Sequence, residues 1–255
     1  MKTASSCALA LVLGAAAPAL AEVSVSAGIE YFSWTEDTDP ISVKERGPLA
    51  VIGLDFTQDK ARGLALAYRG RLYAGTVDYE GALLFFPDIP VTAHTRYRGM
   101  SHEGQLRWRW PLAGGTQADV VGGLGIDLWE RKLSSHQQED YRILYARLGL
   151  EFSAPRGRGW SAGVGVKYPF DTWEDANLSD EGYDQNPKLE PKGRPSLYAN
   201  VGYRFNRRLG LQLYLDGFRF DESDPILVTG FGDTFAFVQP RSTQYNVGMR
   251  LHWFF

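Results

Sequence analysis

The chain has almost no sulfur and no surplus of positive charge. Of its 255 residues one is cysteine and three are methionine, and 27 Lys and Arg stand against 30 Asp and Glu. A formal charge of −3 gives no electrostatic footprint for nucleic acid. Long apolar runs are also scarce: residues 7–20 form the only one, and nothing downstream reads as a membrane-spanning helix. Beyond Glu22 no amphipathic helical run of any length occurs, which argues against a helical enzyme. Glycine and aromatic residues are what the chain has instead. There are 28 glycines, well above the usual share of about 7%, and aromatics make up 13% of the sequence. That balance points to an all-β protein.

The N-terminus reads as an export signal. Met1 and Lys2 form a short positive start, residues 7–20 an apolar centre, and Ala19-Leu20-Ala21 fits the small-x-small cleavage rule. Cleavage after Ala21 divides the chain into a signal peptide, 1–21, and a mature domain, 22–255. The one cysteine, Cys7, precedes the apolar core rather than marking the cleavage point, so lipid anchoring has no support. The mature chain then carries no thiol, which suits an oxidising compartment without disulfides.

From Glu22 onward apolar and polar residues alternate with period two. Trp160, Ala162, Val164, Val166, Tyr168 and Phe170 share one face, and Ser161, Gly163, Gly165 and Lys167 the other. Ten such segments are predicted as strands: 22–34, 47–57, 63–75, 95–110, 117–131, 141–153, 160–170, 194–205, 209–221 and 241–255. They average about 13 residues, more than a soluble sandwich needs and enough to cross a bilayer at a tilt.

The connections alternate in length. Those at 58–62, 111–116, 154–159 and 206–208 are short, whereas 35–46, 76–91, 132–140, 171–193 and 222–240 are long. A closed antiparallel transmembrane β-barrel with tight periplasmic turns, long external loops and both termini inside has this pattern. About ten strands are expected, and eight or twelve if a long loop such as 171–193 alters the count. Phe56, Trp108, Trp110, Phe152, Trp160, Phe205, Trp253 and Phe255 gather at the short-turn ends on the outward face, as an aromatic girdle at the lower membrane boundary would.

The closing run from Tyr245 to Phe255 makes a resemblance specific. Met249, Leu251, Trp253 and the terminal Phe255 are similar to the C-terminal signal of Gram-negative outer-membrane β-barrel proteins. That resemblance covers the whole mature chain. It implies an outer-membrane location, contact with outer-membrane lipid and lipopolysaccharide, and handling by periplasmic chaperones and the barrel-assembly machinery. Porins, proteases and adhesins share this architecture, so it does not select among them.

The inward face is predicted to be polar and of mixed sign. Arg69, Arg71, Arg107, Arg109, Arg147, Lys167, Arg204 and Arg250 point inward with Glu30, Asp55, Glu103, Asp127, Glu151 and Asp216. They form either a charged constriction in a narrow, porin-like passive channel or an ion-pair network that fills a structural barrel. The five long loops are acidic, at −2, −3, −1, −5 and −3, and the short turns are basic through Lys60, Arg62, Arg156, Arg158, Arg207 and Arg208. Acidic loops are ordinary solvated surface, and no Asp-x-Asp-x-Asp-Gly spacing marks a calcium loop.

Catalysis finds little support in the sequence. On a strand only i and i+2 share a face, and none of His94, His102, His136 and His252 has an Asp two residues before it or a Ser two residues after it. An omptin-like protease or lipid A deacylase pattern is therefore missing along any one strand, though a site assembled across strands stays open. No zinc or nucleotide motif occurs, and no cofactor or metal is expected. The remaining alternative is a loop-borne adhesin or receptor, using the aromatic loops around Phe231–Phe237 and Leu83–Pro87, which could equally fold into the barrel mouth.

Overall fold

In a computed structural model the structure describes residues 21–255 apart from 84–85, 135–136 and 155–156. The side chains of 83, 86–87 and 180–181 are also outside the described set, and the expected signal peptide lies outside it up to residue 20. Fourteen strands are present: β1 Ala21–Glu36, β2 Val43–Gln58, β3 Gly63–Leu83, β4 Phe86–Pro111, β5 Gln117–Lys132, β6 Gln138–Ser153, β7 Gly159–Asp175, β8 Lys188–Leu189, β9 Lys192–Arg194, β10 Ser196–Arg204, β11 Leu209–Asp221, β12 Ile226–Gly230, β13 Asp233–Phe237 and β14 Ser242–Phe254. Ten of them, β1 to β7 with β10, β11 and β14, make one antiparallel barrel. Two seams close it. β14 pairs β1 from Ser24↔Phe254 to Glu36↔Ser242, and β7 pairs β10 from Lys167↔Ser196 to Gly159↔Arg204. Closure leaves none of the ten strands with an open edge in the bilayer.

The two faces follow the period-two pattern. Outward residues such as Ile52, Leu72, Leu124, Leu148, Val164, Leu197 and Val247 are more than half exposed, an arrangement that only a hydrocarbon solvent tolerates over a whole barrel wall. Trp108, Trp110, Phe152, Trp160, Phe205, Trp253 and Phe255 lie outward at the short-turn end, with Phe56 half-buried among them. Tyr31, Tyr168 and Phe170 are exposed towards the other end. No described helix is long enough or apolar enough to cross a membrane, and the strands do the crossing.

One of the expected long loops is largely strand, and two others hold short strands. Residues 76–91 belong almost entirely to β3 and β4, whose pairing runs on to Ala82↔Pro90 and makes a hairpin that outreaches its neighbours. The alternation of Val77, Tyr79 and Gly81 against Asp78 and Glu80 carries the strand beyond 75. Residues 171–193 hold the end of β7 with β8 and β9, and 222–240 holds the β12–β13 hairpin. Leu178, Tyr183 and Val228 are buried there with Phe235 and Phe237 packed against them, a small apolar cap over the external end. Phe231 stays exposed, and the side chains around 83–87 are outside the described residues.

Inward glycines receive inward tyrosines. A side-chain carbon at Gly99 would meet the Tyr73 ring, at Gly125 the Tyr145 ring, at Gly165 the Tyr198 ring and at Gly248 the Tyr214 ring, each within about 2.6 Å. Gly165 is the most constrained: such a carbon would also lie 2.2 Å from the Leu148 carbonyl oxygen, a backbone atom that cannot swing aside. Gly165→Ala is expected to lower unfolding stability by about 1–3 kcal/mol, read from urea unfolding of the refolded barrel. An unchanged midpoint would contradict this packing.

Candidate functional site

The lumen is the candidate site, and it is layered along the barrel axis. All fourteen predicted charged residues face inward, most at mid-height and Arg109 and Arg204 near the short-turn end. Arg69 reaches Glu151 at 2.8 Å and Asp55 at 3.9 Å. Arg71 bridges Glu30 at 3.0 Å and Asp127 at 3.6 Å. Arg107 meets Glu151 at 2.9 Å, and Arg109 grips Asp119 with two hydrogen bonds of 2.9 and 2.8 Å. Arg147 faces Glu103 at 3.4 Å, Lys167 sits 2.7 Å from Asp216, and Arg204 lies 2.6 Å from Glu22. Arg250 alone among the fourteen has no carboxylate partner among the described residues. Its Nη2 donates to Gln212 at 2.7 Å, and its guanidinium lies 4.7 Å over the Tyr214 ring.

Above this ion-pair layer the expectation of a wholly polar interior fails. Phe32, Trp34, Tyr97, Trp129, Tyr141, Phe218 and Phe220 all point inward and are at most 5% exposed. Trp129 stacks flat on Tyr141, centroids 3.9 Å apart. Trp34 on β1 touches Trp129 on β5 at 5.5 Å and Tyr141 on β6 at 5.9 Å. β1 and β6 stand on opposite sides of a ten-strand barrel, so these rings meet across its full width. Parity gave a usable signal: Phe32 and Trp34 continue the face of Glu30, and Trp129 continues that of Asp127. Which rings touch across the lumen follows from closure and register, which no single strand encodes.

A second charged layer, above the aromatic one, also went unrecognised in the sequence. Arg131 donates to Glu36 at 2.9 Å, to Glu139 at 2.8 Å and to Glu45 at 3.1 Å. Tyr97 and Thr95 add hydrogen bonds to Glu45, Trp34 Nε1 donates to Glu36 at 2.7 Å, and Gln239 lies against Glu36 and Glu174. All five charged groups are buried. The outward neighbours at this level, Lys44, Arg46, Glu130 and Lys132, are charged, which places the layer above the lipid band. One guanidinium faces four carboxylates, so the layer holds excess negative charge. Burial, then the charges of Glu139 and Glu36, push the Glu174 carboxyl well above the usual glutamate range. Burial also raises Glu139, though Arg131 opposes it.

Below the ion pairs lies a chamber of about 480 Å³, lined by Ser24, Asp55, Arg107, Asn200, Arg250 and His252 among others and reaching the short-turn end at Phe254 and Glu22. A pocket of only about 70 Å³ lies at the level of Arg71 and Lys167.

The histidines form no catalytic arrangement among the described residues. The cross-strand partnership missing from any single strand occurs twice among the described residues: His252 Nδ1 lies 3.9 Å from Asp55 inside the barrel, and His94 Nδ1 lies 3.1 Å from Asp78 on the β3–β4 hairpin. Both side chains of the hairpin pair are about three-quarters exposed, and no further described side chain hydrogen-bonds to His94. His102 pairs with Tyr68 at 2.6 Å on the lipid face, His252 faces the chamber, and His136 is outside the described residues. No described group of three or more His, Cys, Asp or Glu is arranged to hold a metal ion.

No family model matches the chain, and no curated protein matches it. Solved structures do. The outer membrane protease OmpT from Escherichia coli aligns at a TM-score of 0.57 and 9% identity, over 93% of this chain and 97% of that one. An outer membrane channel from Pseudomonas putida F1 aligns at 0.39 and 14% identity, over 94% and 97%. The attachment invasion locus protein Ail of Yersinia pestis aligns at 0.33 and 8%, over 92% and 99%. OmpT shares the fold; the other two are more distant. The chain has the fold of a closed transmembrane β-barrel, as OmpT does, and the apolar belt and girdle suit a membrane-spanning wall.

The upper charged layer generates a pH test. A carboxyl whose pKa is higher folded than unfolded adds stability fully below the ordinary glutamate value of 4.5, and this is lost as pH rises through the folded value. Between about pH 5 and about pH 8, the wild type is expected to lose more urea stability than Glu174→Gln, which cannot ionise. Identical pH dependence would show that Glu174 carries no such shift.

Proposed function

We propose that this protein is a closed-lumen structural barrel of the outer membrane that holds an ordered external cap, rather than an open passive channel. The observation that carries this reading is the aromatic layer. Rings from β1, β4, β5, β6 and β11 meet across the barrel, and Trp34 is fully buried among them. Ion pairs seal the level below, and Arg131 with its carboxylates seals the level above. Within a ten-strand wall such side chains fill the section available.

The mixed-charge ladder then works as internal bracing. Seven of the eight cations have a carboxylate partner, so they present little free charge to a passing ion. Lipopolysaccharide and outer-membrane lipid are the expected surroundings of the belt, and the β12–β13 cap is the part offered to the exterior. A protease reading would draw on OmpT, but the exposed Asp78–His94 pair lacks a further organised group.

Planar bilayers test this reading. Folded wild-type protein, verified by heat-modifiability on a gel, is expected to give no discrete conductance steps. Reproducible unitary steps from that folded protein would overturn it in favour of a narrow channel.

A further inference from the structure

The chamber reaches the short-turn, periplasmic end, and only a void of about 70 Å³ adjoins it on the inner side. Its rim carries Lys60, Arg62, Arg158, Arg207 and Arg208 against Asp59 and Glu22, a basic mouth that draws anions inward. Inside, most charges are already matched. Two opposite ones are not. Arg250 has no carboxylate partner, and its Nε finds no protein acceptor. Asp55 accepts no hydrogen bond: Arg69 stands 3.9 Å from its Oδ1, and the His252 ring 3.9 Å from its Oδ2.

A third group adds to these. His252 is 8% exposed, its Nδ1 lies 3.4 Å from Ser24 Oγ, and its Nε2 has no protein partner. Arg250 Nη1 and Asp55 Oδ1, neither in a hydrogen bond, thus face one chamber, with the His252 ring in its wall. Leaving buried polar groups unmatched is costly, whereas a ligand with both signs of charge matches them together.

We propose that this chamber is a periplasm-facing binding site for a small zwitterion bearing a carboxylate and an ammonium group. The carboxylate takes the Arg250 guanidinium, and the ammonium takes Asp55. A volume of about 480 Å³ accommodates a molecule of amino-acid size. Gln212, which accepts from Arg250, positions the guanidinium.

Calorimetric titration of the detergent-solubilised, folded protein tests the proposal with glycine and alanine as probes and with acetate and ethylammonium as single-charge controls. Saturable binding of an amino acid is expected, with each control weaker by about 10-fold or more. Arg250→Gln and Asp55→Asn are each expected to weaken it by about 10-fold, and Arg250→Lys to keep most of it, all three first shown folded on the heat-modifiability gel. If a neutral variant fails to fold, Arg250→Lys and the two controls decide the matter on their own. Absence of saturable binding to the wild type, acetate binding as tightly as glycine, or unchanged affinity in the neutral variants would overturn it.

Discussion

Closure is the constraint on which everything else in this molecule depends. Hydrocarbon offers no hydrogen bonds, so every backbone donor and acceptor in the spanning strands has to pair with another strand. The chain meets this requirement by bringing its last strand back to its first. Ser24↔Phe254 through Glu36↔Ser242 is an unbroken register of thirteen pairs, and the Phe255 amide continues it by donating to the Val23 carbonyl at 2.9 Å. Once ten strands close, the lumen is narrow. Inward side chains then have few options: they meet one another, or they enclose a small chamber.

Both happen, at different heights. Where the inward residues are large and apolar, as with Trp34, Trp129 and Phe218, they meet in mid-lumen and exclude water. Where they are long and charged, as with Arg71, Glu30 and Asp127, they pair across it, and Tyr73 and Tyr214 donate to the same carboxylates at 2.7 Å. Glycines beside these groups let tyrosine rings lie flat against the wall instead of adding bulk. Near the periplasmic end small and medium side chains such as Ser24, Asn200 and Gly202 fail to fill the section, and the chamber results. The external end differs again: four carboxylates share one arginine, and burial raises the carboxyls of Glu139 and Glu174.

Much of this was legible in the sequence. The ten barrel strands, the short turns and the inward orientation of Arg69, Glu151, Lys167 and their companions follow from period-two alternation, since parity alone assigns a face. The hairpin reaching past residue 75 was missed because acidic residues at 78 and 80 resemble loop, although on an extended hairpin they face water. The aromatic layer was missed for a different reason. Apolar residues were taken as outward, yet Phe32, Trp34, Leu49 and Val51 lie on the inward parity of their strands. Contacts such as Trp34 with Tyr141, or Arg131 with Glu36, join residues about a hundred positions apart. They depend on barrel diameter and register, quantities no local pattern contains.

The central claim is that the lumen is sealed between a periplasmic chamber and the external cap. Residues 22–255 contain no cysteine, so a thiol introduced there is unique to the barrel and makes a direct measurement possible. Asn200→Cys places one in the chamber, and Leu227→Cys places one on the exposed cap. A bulky, membrane-impermeant maleimide added to intact cells should label Leu227→Cys promptly and Asn200→Cys only after the outer membrane is breached. Labelling of Asn200→Cys from outside at the rate of Leu227→Cys would show an open path and contradict the seal.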